Sequence, residues 1–144
     1  MQYGENSRTD QQTFAWVAEF DRKLTAPPFE ERLPRRVMLA RESVVVLDLL
    51  TEQFAHGERW IKHCLKDCTG FCIVGGLMEI RRRRATCDRA GVYLERAIAR
   101  VRGAPMKLID FNDSCFDYSE IREVISFARE WAQLAVDDYY MCSV

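Results

Sequence analysis

The chain has 144 residues, of which 48% are hydrophobic and 30% are charged, and its formal net charge is −1. This is the composition of an ordinary soluble globular protein, and the length is sufficient for one domain that needs no disulfide or metal for stability. No apolar run approaches the roughly 18 residues of a membrane span. The polar stretch MQYGENSRTD lacks the charged and apolar regions of a signal peptide. We therefore expect a cytoplasmic protein without a membrane partner, in which the six cysteines are free thiols.

The N-terminal segment is predicted to be a helical arm. A helix is expected from about Thr9 to Leu24, because apolar residues recur on one face of that stretch. Pro27 and Pro28 end it, since proline disfavours the α conformation in the residue before it. The chain is thus divided into an arm with a Pro-rich linker at residues 1–34, a helical core domain at 35–136 and a C-terminal tail at 137–144.

The core domain is predicted to be mainly α, a single domain of four to five helices. The clearest helix lies between Pro34 and Gly57, the usual residues at a helix start and end. Its apolar residues recur at spacings of three and four or their multiples: Val37, Ala40, Val44, Leu47 and Phe54. Further helices are predicted from Cys72 or Ile73 through Ile80, from about Thr86 to Arg102, and from Asp117 through Ala135. Asp117 and Glu120 resemble a capping box at the start of the last of these helices. The segment PMKLIDFND, residues 105–113, is expected to be extended.

Residues 60–74 allow two interpretations. Trp60–Leu65 and Phe71–Val74 have the composition of short strands, and the five residues between them include Gly70. One short β-hairpin is therefore an alternative for this segment. An irregular connection leading into the next helix is the other alternative.

The stretch DCTGF, residues 67–71, resembles the DC(S/T)GF signature of NlpC-type cell-wall peptidases. In those enzymes the nucleophilic cysteine opens a helix, whose N-terminus favours the thiolate. Their catalytic histidine follows the cysteine, whereas His56 and His63 both precede Cys68 here. We therefore judge this five-residue similarity to be spurious.

A different thiol site is conceivable from the residue types alone. Cys72 or Cys68 would be the nucleophile, His63 the base, and Asn112 or Asp110 the group that orients the base. The competing interpretation places Cys72 at the buried start of a helix and His63 on the surface. We favour this second interpretation, because free cysteines are mostly buried and unreactive.

The cysteines also raise the question of a metal. Cys64, Cys68 and Cys72 follow a C-x₃-C-x₃-C spacing, which would place them on one face of a continuous helix. Gly70 argues against such a helix, and structural zinc sites usually take two pairs of ligands separated by a loop. We therefore assign no metal and no cofactor.

Charge is distributed unevenly along the chain. Between Gly76 and Lys107 there are nine Lys or Arg residues against three acids, whereas residues 108–144 hold two Arg against eight acids. The basic block includes the run Arg81, Arg82, Arg83 and Arg84, which is a candidate surface for phosphate contacts with nucleic acid. Alternatively, the basic and acidic blocks pair with each other within one chain or between subunits.

Two segments resemble the patterns of an uncharacterised family of small bacterial and phage proteins. RWIKHCLKDCTGFCIVGGL is similar to W-x-K/Q-G…D-x-x-G-x-x-C-x-x-G-A. LIDFNDSCFDYSEIREVISFA is similar to a second pattern, V/I-x-x-W/F/V-N-D followed by E/A-V-L/I-x-x-L/F-x-x-A. The similarity covers about residues 37–135. The matching residues are Trp60, Ile61, Lys62, Asp67, Gly70, Cys72, Gly75, Leu77, Asn112 and Asp113. This chain departs from the pattern at His63, where the family has Gly, and at Gly76, where it has Ala.

The resemblance implies structural roles and no particular activity. It implies that Cys72, rather than Cys68, belongs to the pattern, and that Asp67–Gly70 is a turn that leads into a helix. An Asn-Asp pair such as Asn112 and Asp113 commonly shapes the backbone through side-chain hydrogen bonds.

Together these observations predict a non-enzymatic interaction or regulatory module of bacterial or phage origin, with a protein partner or a second copy of itself. The expected binding residues are Arg81, Arg82, Arg83, Arg84, Trp60, Asn112 and Asp113. A nucleic-acid-binding protein that uses Arg81–Arg84 is the first alternative. A cysteine-dependent hydrolase that uses His63, Cys72 and Asn112 is the second.

Overall fold

The structure, a computed structural model, describes residues 33–84 and 89–142. The chain divides between Pro34 and Arg35 into two units, and the described part of the second unit contains five α-helices and one 3₁₀ turn. The predicted mainly α class is therefore confirmed, whereas the arm helix predicted at residues 9–24 lies outside the described residues. The helices are α1 (Arg35–Phe54), α2 (Ile73–Arg83), α3 (Arg89–Arg102), α4 (Leu108–Ser114) and α5 (Tyr118–Cys142), and the 3₁₀ turn is Ala55–Gly57.

The hydrophobic core lies where α1, α3 and α5 meet. α1 packs chiefly against α5, and α3 packs against both. Full burial of one large apolar side chain stabilises a fold by about 1.5–3 kcal/mol, so these contacts are the main source of stability. The core side chains include Leu47, Leu50, Phe54, Leu94, Ile98, Ile121, Val124 and Ala128.

The apolar spacing of α1 predicted its buried face. Val37, Ala40, Leu47 and Phe54 are buried, and Val44 is half-buried. Proline directly precedes the helix, where the missing N–H removes no helical hydrogen bond. The local sequence and the tertiary packing therefore favour the same helix.

The β-hairpin considered for residues 60–74 does not form. Phe71 makes only isolated bridges: its N–H donates to the carbonyl oxygen of Arg59 at 2.8 Å, and its carbonyl oxygen accepts the N–H of Ile61 at 3.0 Å. Because α2 begins at Ile73, too few residues follow Phe71 to make a second strand. The segment instead forms an irregular connection that leads into α2, which was the second alternative.

The expectation of an extended segment at residues 105–113 is wrong, because the segment contains most of α4. With seven residues, α4 is too short to be stable in isolation. The buried side chains of Phe111 and Asn112 attach it to the rest of the domain. Tertiary contacts therefore determine this helix, and local sequence does not reveal it.

The start of α5 uses the two acids predicted to cap it. Oδ1 of Asp117 accepts the N–H of Ser119 at 2.9 Å, and Oε2 of Glu120 accepts the N–H of Phe116 at 2.6 Å. The helix also includes residues 137–142, which were assigned to the tail. Within the part of the chain that the structure describes, no helix combines the length and apolar character needed to cross a membrane.

Candidate functional site

Asn112 joins α4 to the connection that precedes α2. Its side chain is fully buried, and its Oδ1 accepts hydrogen bonds from the indole N–H of Trp60 at 2.8 Å and the backbone N–H of Ile73 at 3.0 Å. Its Nδ2 donates to the carbonyl oxygen of Ile61 at 3.0 Å and to Oδ1 of Asp113 at 3.3 Å. All four hydrogen-bonding positions of the carboxamide are therefore used within the protein.

Further bonds attach the same connection to the end of α4. Oδ1 of Asp113 accepts the backbone N–H of His63 at 2.8 Å, and this bond is the main reason why the pKa of Asp113 is lowered. Nζ of Lys62 donates to the carbonyl oxygen of Cys115 at 2.8 Å. His63 has a φ of 73°, in the left-handed region that favours glycine. We call this assembly the clip, and it comprises Trp60, Ile61, Lys62, His63, Asn112, Asp113 and Cys115.

Asp67 and Gly70 form the turn that the resemblance implies. Oδ1 of Asp67 accepts the backbone N–H groups of Thr69 at 2.7 Å and Gly70 at 3.1 Å. The hydroxyl of Thr69 also donates to Asp67, and this bond is the largest cause of the lowered pKa of Asp67. A Cβ atom at Gly70 would lie 1.9 Å from the carbonyl oxygen of Arg59. The turn therefore excludes every residue with a side chain at this position.

Cys72 is the N-cap of α2. Its side chain is fully buried, and its Sγ accepts the N–H of Gly75 at 3.4 Å. A Cβ atom at Gly75 would lie 1.8 Å from the carbonyl oxygen of Leu65, so the first turn of α2 packs directly against the connection. Cys68, by contrast, is exposed and lies outside the helix start.

The three candidates for a hydrolase have different surroundings. Asn112 bonds to Ile73, the residue after Cys72. The His63 side chain is 72% exposed, and its Nδ1 lies 3.7 Å from Oδ2 of Asp113. Across the described residues, no hydrogen bond joins His63 to Cys72. Each of the three side chains thus has a structural contact of its own.

The arginine run is partly engaged in local ion pairs. Glu79, only 7% exposed, bonds to Arg82 at 2.6 Å and Arg83 at 3.1 Å from the same helix, and to Lys66 at 3.4 Å. The hydrogen bond from Arg82 is the largest cause that lowers the pKa of Glu79, from its ordinary 4.5 to about 2. Arg81 lines a groove of about 390 Å³ between α2 and α3. The four arginines therefore do not form one continuous basic surface.

A groove of about 410 Å³ opens between α1, α2 and the connection, and we call it the basic groove. Its floor is apolar and includes the buried side chains of Phe71 and Ile80. Its rim is rich in guanidinium groups, and that of Arg59 lies 5.6 Å from the ring centre of Phe71. The lining residues are Leu49, Glu52, Gln53, Arg59, Phe71, Ile80, Arg83 and Arg84.

Sequence reasoning identified only part of this groove. Arg83 and Arg84 belong to the predicted basic run, but Arg59 and Phe71 are absent from the residues predicted to bind a partner. One feature of the sequence could have drawn attention to them. Arg59 precedes Trp60 and Phe71 follows Gly70, and both of these neighbours match the family pattern described above. Trp60, Asn112 and Asp113 were predicted as binding residues, and the structure places them in the clip.

The volume of the basic groove falls in the range of about 300–1,000 Å³ that is usual for ligand pockets. Within residues 33–84 and 89–142, no three His, Cys, Asp or Glu side chains lie close enough together to hold a metal ion. Comparison of the chain with protein-family models, curated proteins and solved structures found no significant match.

Proposed function

We propose that this chain is a non-enzymatic interaction module, and that its basic groove binds an acidic segment of a protein partner that carries an apolar side chain. The observation that carries this proposal is the apolar floor of the groove beneath Arg59, Arg83 and Arg84. Arg83 also bonds to Glu79 and Glu52 also lines the groove, so Arg59 and Arg84 are the main cations for a ligand. An aromatic or aliphatic side chain would be buried against Phe71 and Ile80. Carboxylates beside it would bond to the guanidinium groups.

Arginine is well suited to this role. Its planar guanidinium group donates two parallel hydrogen bonds to a carboxylate and also stacks on aromatic rings. Arg59 already lies over Phe71, so a bound carboxylate would meet a guanidinium group whose position is partly fixed. Burial of one large apolar side chain contributes about 1.5–3 kcal/mol in addition. The two interactions together favour an acidic, apolar segment over a purely acidic one.

The contacts of the other candidate residues support a non-enzymatic role. Cys72 caps a helix, Asn112 uses all its hydrogen bonds within the fold, and His63 lies against Asp113. Each of these three side chains therefore has a structural role. They are also consistent with our proposal that the bacterial and phage family pattern is a folding pattern, since the glycine of that pattern suits the left-handed φ of His63.

A binding experiment with defined probes tests this function. A fluorescent acidic peptide with one central phenylalanine is titrated with the full chain, beside the same peptide with alanine in place of phenylalanine. We expect the phenylalanine peptide to bind at least about tenfold more tightly, as burial of one aromatic side chain implies. Arg84→Glu should weaken this binding, and Arg100→Glu, an exposed change on α3, should not.

Two results would contradict the proposal. One is equal affinity for the two peptides, which would show that the apolar floor is not used. The other is tighter binding of a single-stranded oligonucleotide than of either peptide, with loss of that binding in Arg84→Glu. The second result would favour the nucleic-acid alternative, whose affinity should fall steeply with salt concentration.

A further inference from the structure

Phe116 is a large aromatic side chain that the fold leaves in solvent. It lies between α4 and α5, and 95% of its surface is exposed. Large apolar side chains are usually buried, and exposed aromatic residues are common anchors of protein interfaces. Phe116 is therefore available for contact with a partner.

The backbone around Phe116 is held in place from both sides. Its N–H donates to Oε2 of Glu120 at 2.6 Å, and Oε1 of Glu120 accepts from Arg102 at 3.1 Å. On the other side, the carbonyl oxygen of Cys115 accepts Nζ of Lys62. A side chain that is presented on an ordered backbone loses less entropy when it binds.

Two carboxylates beside Phe116 reach the surface. Asp117 is exposed, and the side chain of Asp113 is 30% exposed. Lys62 and Arg102, the cations next to this loop, already bond to Cys115 and Glu120. Arg122 lies near Asp117 and offsets part of its charge. Phe116 and the neighbouring exposed carboxylate of Asp117, whose Oδ1 caps α5, match the chemistry that we propose for a ligand of the basic groove.

We propose that Phe116 of one copy of this chain inserts into the basic groove of a second copy, so that the protein associates with itself head to tail. This inference rests on the proposed function and names the occupant of the groove. Phe116 would lie on Phe71 and Ile80, and Asp117 would bond to the arginines at the rim. No described residue of the segment 113–120 lines the groove, so each copy presents both surfaces at once. Such a heterologous contact closes into a ring or continues as an open chain of copies.

The contact is small, so the association is weak and reversible. Stable interfaces bury about 1,200–2,000 Å² in total, whereas one aromatic anchor contributes about 150–250 Å². Charge pairs at an exposed rim are screened by salt. The fraction of associated chains should therefore rise with protein concentration, and the association constant should fall as the salt concentration rises.

Sedimentation of the full chain from about 10 μM to about 1 mM, a range that covers weak association, tests the proposal. We expect the average mass of the wild type to rise with concentration. Phe116→Ala and Arg84→Glu should each lower the apparent association constant at least about tenfold. Met141→Ala and Arg100→Glu are the matched controls, because both change exposed residues outside the two surfaces. Circular dichroism of every variant checks that the fold is retained.

Mixing the two defective variants gives the sharpest result. The Phe116→Ala copy keeps its groove, and the Arg84→Glu copy keeps its aromatic anchor. An equal mixture should therefore form mainly one-to-one dimers at concentrations at which neither variant associates measurably alone. A wild type that stays monomeric, a Phe116→Ala variant that associates like the wild type, or a mixture that stays monomeric would each overturn the proposal.

The peptide titration separates this inference from the proposed function. If the chain stays monomeric and the phenylalanine peptide still binds the groove, only self-association is wrong. If neither self-association nor peptide binding occurs, the basic groove is not a binding site and both proposals fail.

Discussion

The indole N–H of Trp60 donates a hydrogen bond to Oδ1 of Asn112 at 2.8 Å, across 52 residues of the chain. The same oxygen atom accepts the backbone N–H of Ile73 at 3.0 Å. One buried atom thus fixes both the beginning and the end of the connection before α2. Because the groove floor includes Phe71 of this connection, the clip determines the shape of the groove.

Replacement of Asn112 by alanine should destabilise the protein by about 3 kcal/mol or more, since it leaves several buried polar groups without partners. Urea denaturation followed by circular dichroism measures the loss. Asp110→Ala is the matched control, because residue 110 lies on the same short helix and is exposed; it should change stability by less than about 0.5 kcal/mol. A loss below about 1 kcal/mol in Asn112→Ala would show that the clip is not essential to the fold.

Gly75→Ala should destabilise the protein by about 3 kcal/mol or more, because the new Cβ atom would overlap the backbone of Leu65 and force it to move. Gly91→Ala should instead stabilise it by about 0.5–1 kcal/mol, since alanine favours helix and the nearest atom of Leu108 is 3.9 Å away. Thermal unfolding of the two variants measures both effects. Similar changes in the two midpoints would contradict the close approach at Gly75.

Glu79 should make the stability depend on pH. Its pKa is lower in the folded protein, about 2, than its ordinary value of 4.5, so protonation of this carboxyl favours unfolding. Its contribution is complete above pH 4.5 and is lost as the pH falls towards 2. Glu79→Gln should therefore be less stable than the wild type at neutral pH, and this difference should shrink through that window.

Urea midpoints of the wild type and Glu79→Gln across the acid range test this dependence. Glu130→Gln removes an exposed glutamate of α5 and controls for the general effect of charge. A difference between wild type and Glu79→Gln that stays constant with pH would show that the ion pairs to Arg82 and Arg83 do not stabilise the fold.

The five cysteines within residues 33–84 and 89–142 should react with iodoacetamide at two distinct rates. Cys64, Cys68 and Cys142 are exposed, whereas Cys72 and Cys115 are buried. Burial is also the main cause that raises the pKa of Cys115 to about 11, which depletes the reactive thiolate. We expect the exposed group to react at least about tenfold faster in the native protein.

Samples are digested at successive times, and mass spectrometry of the peptides measures the rate at each cysteine. The reference is the urea-unfolded chain, in which all sites should react alike. Rapid modification of Cys72 in the native state would contradict the capping role of its sulfur. It would also revive the hydrolase alternative, because an accessible thiolate is the nucleophile that such an enzyme requires.

The sequence predicted the elements in which local and tertiary preferences agree. The apolar spacing of α1 predicted its buried residues, and the acids Asp117 and Glu120 predicted the start of α5. The spacing of Glu79 with Arg82 and Arg83 is also that of helical ion pairs, so the sequence itself indicates that these two arginines pair with Glu79.

The rest could not be predicted, because it depends on contacts between distant residues. α4 exists because Phe111 and Asn112 are buried by other elements, and no local periodicity reports that burial. The basic groove combines Leu49, Arg59 and Arg84 from three separate parts of the chain. A single sequence does not show which distant side chains meet.

The backbone bridge between Arg59 and Phe71 would couple the stability of the fold to the binding that we propose for the basic groove. The N–H of Phe71 donates to the carbonyl oxygen of Arg59 at 2.8 Å, so one main-chain bond sets the distance between the rim of the groove and its floor. A mutation in the clip that loosens this bond should therefore weaken the proposed binding without altering any residue of the groove.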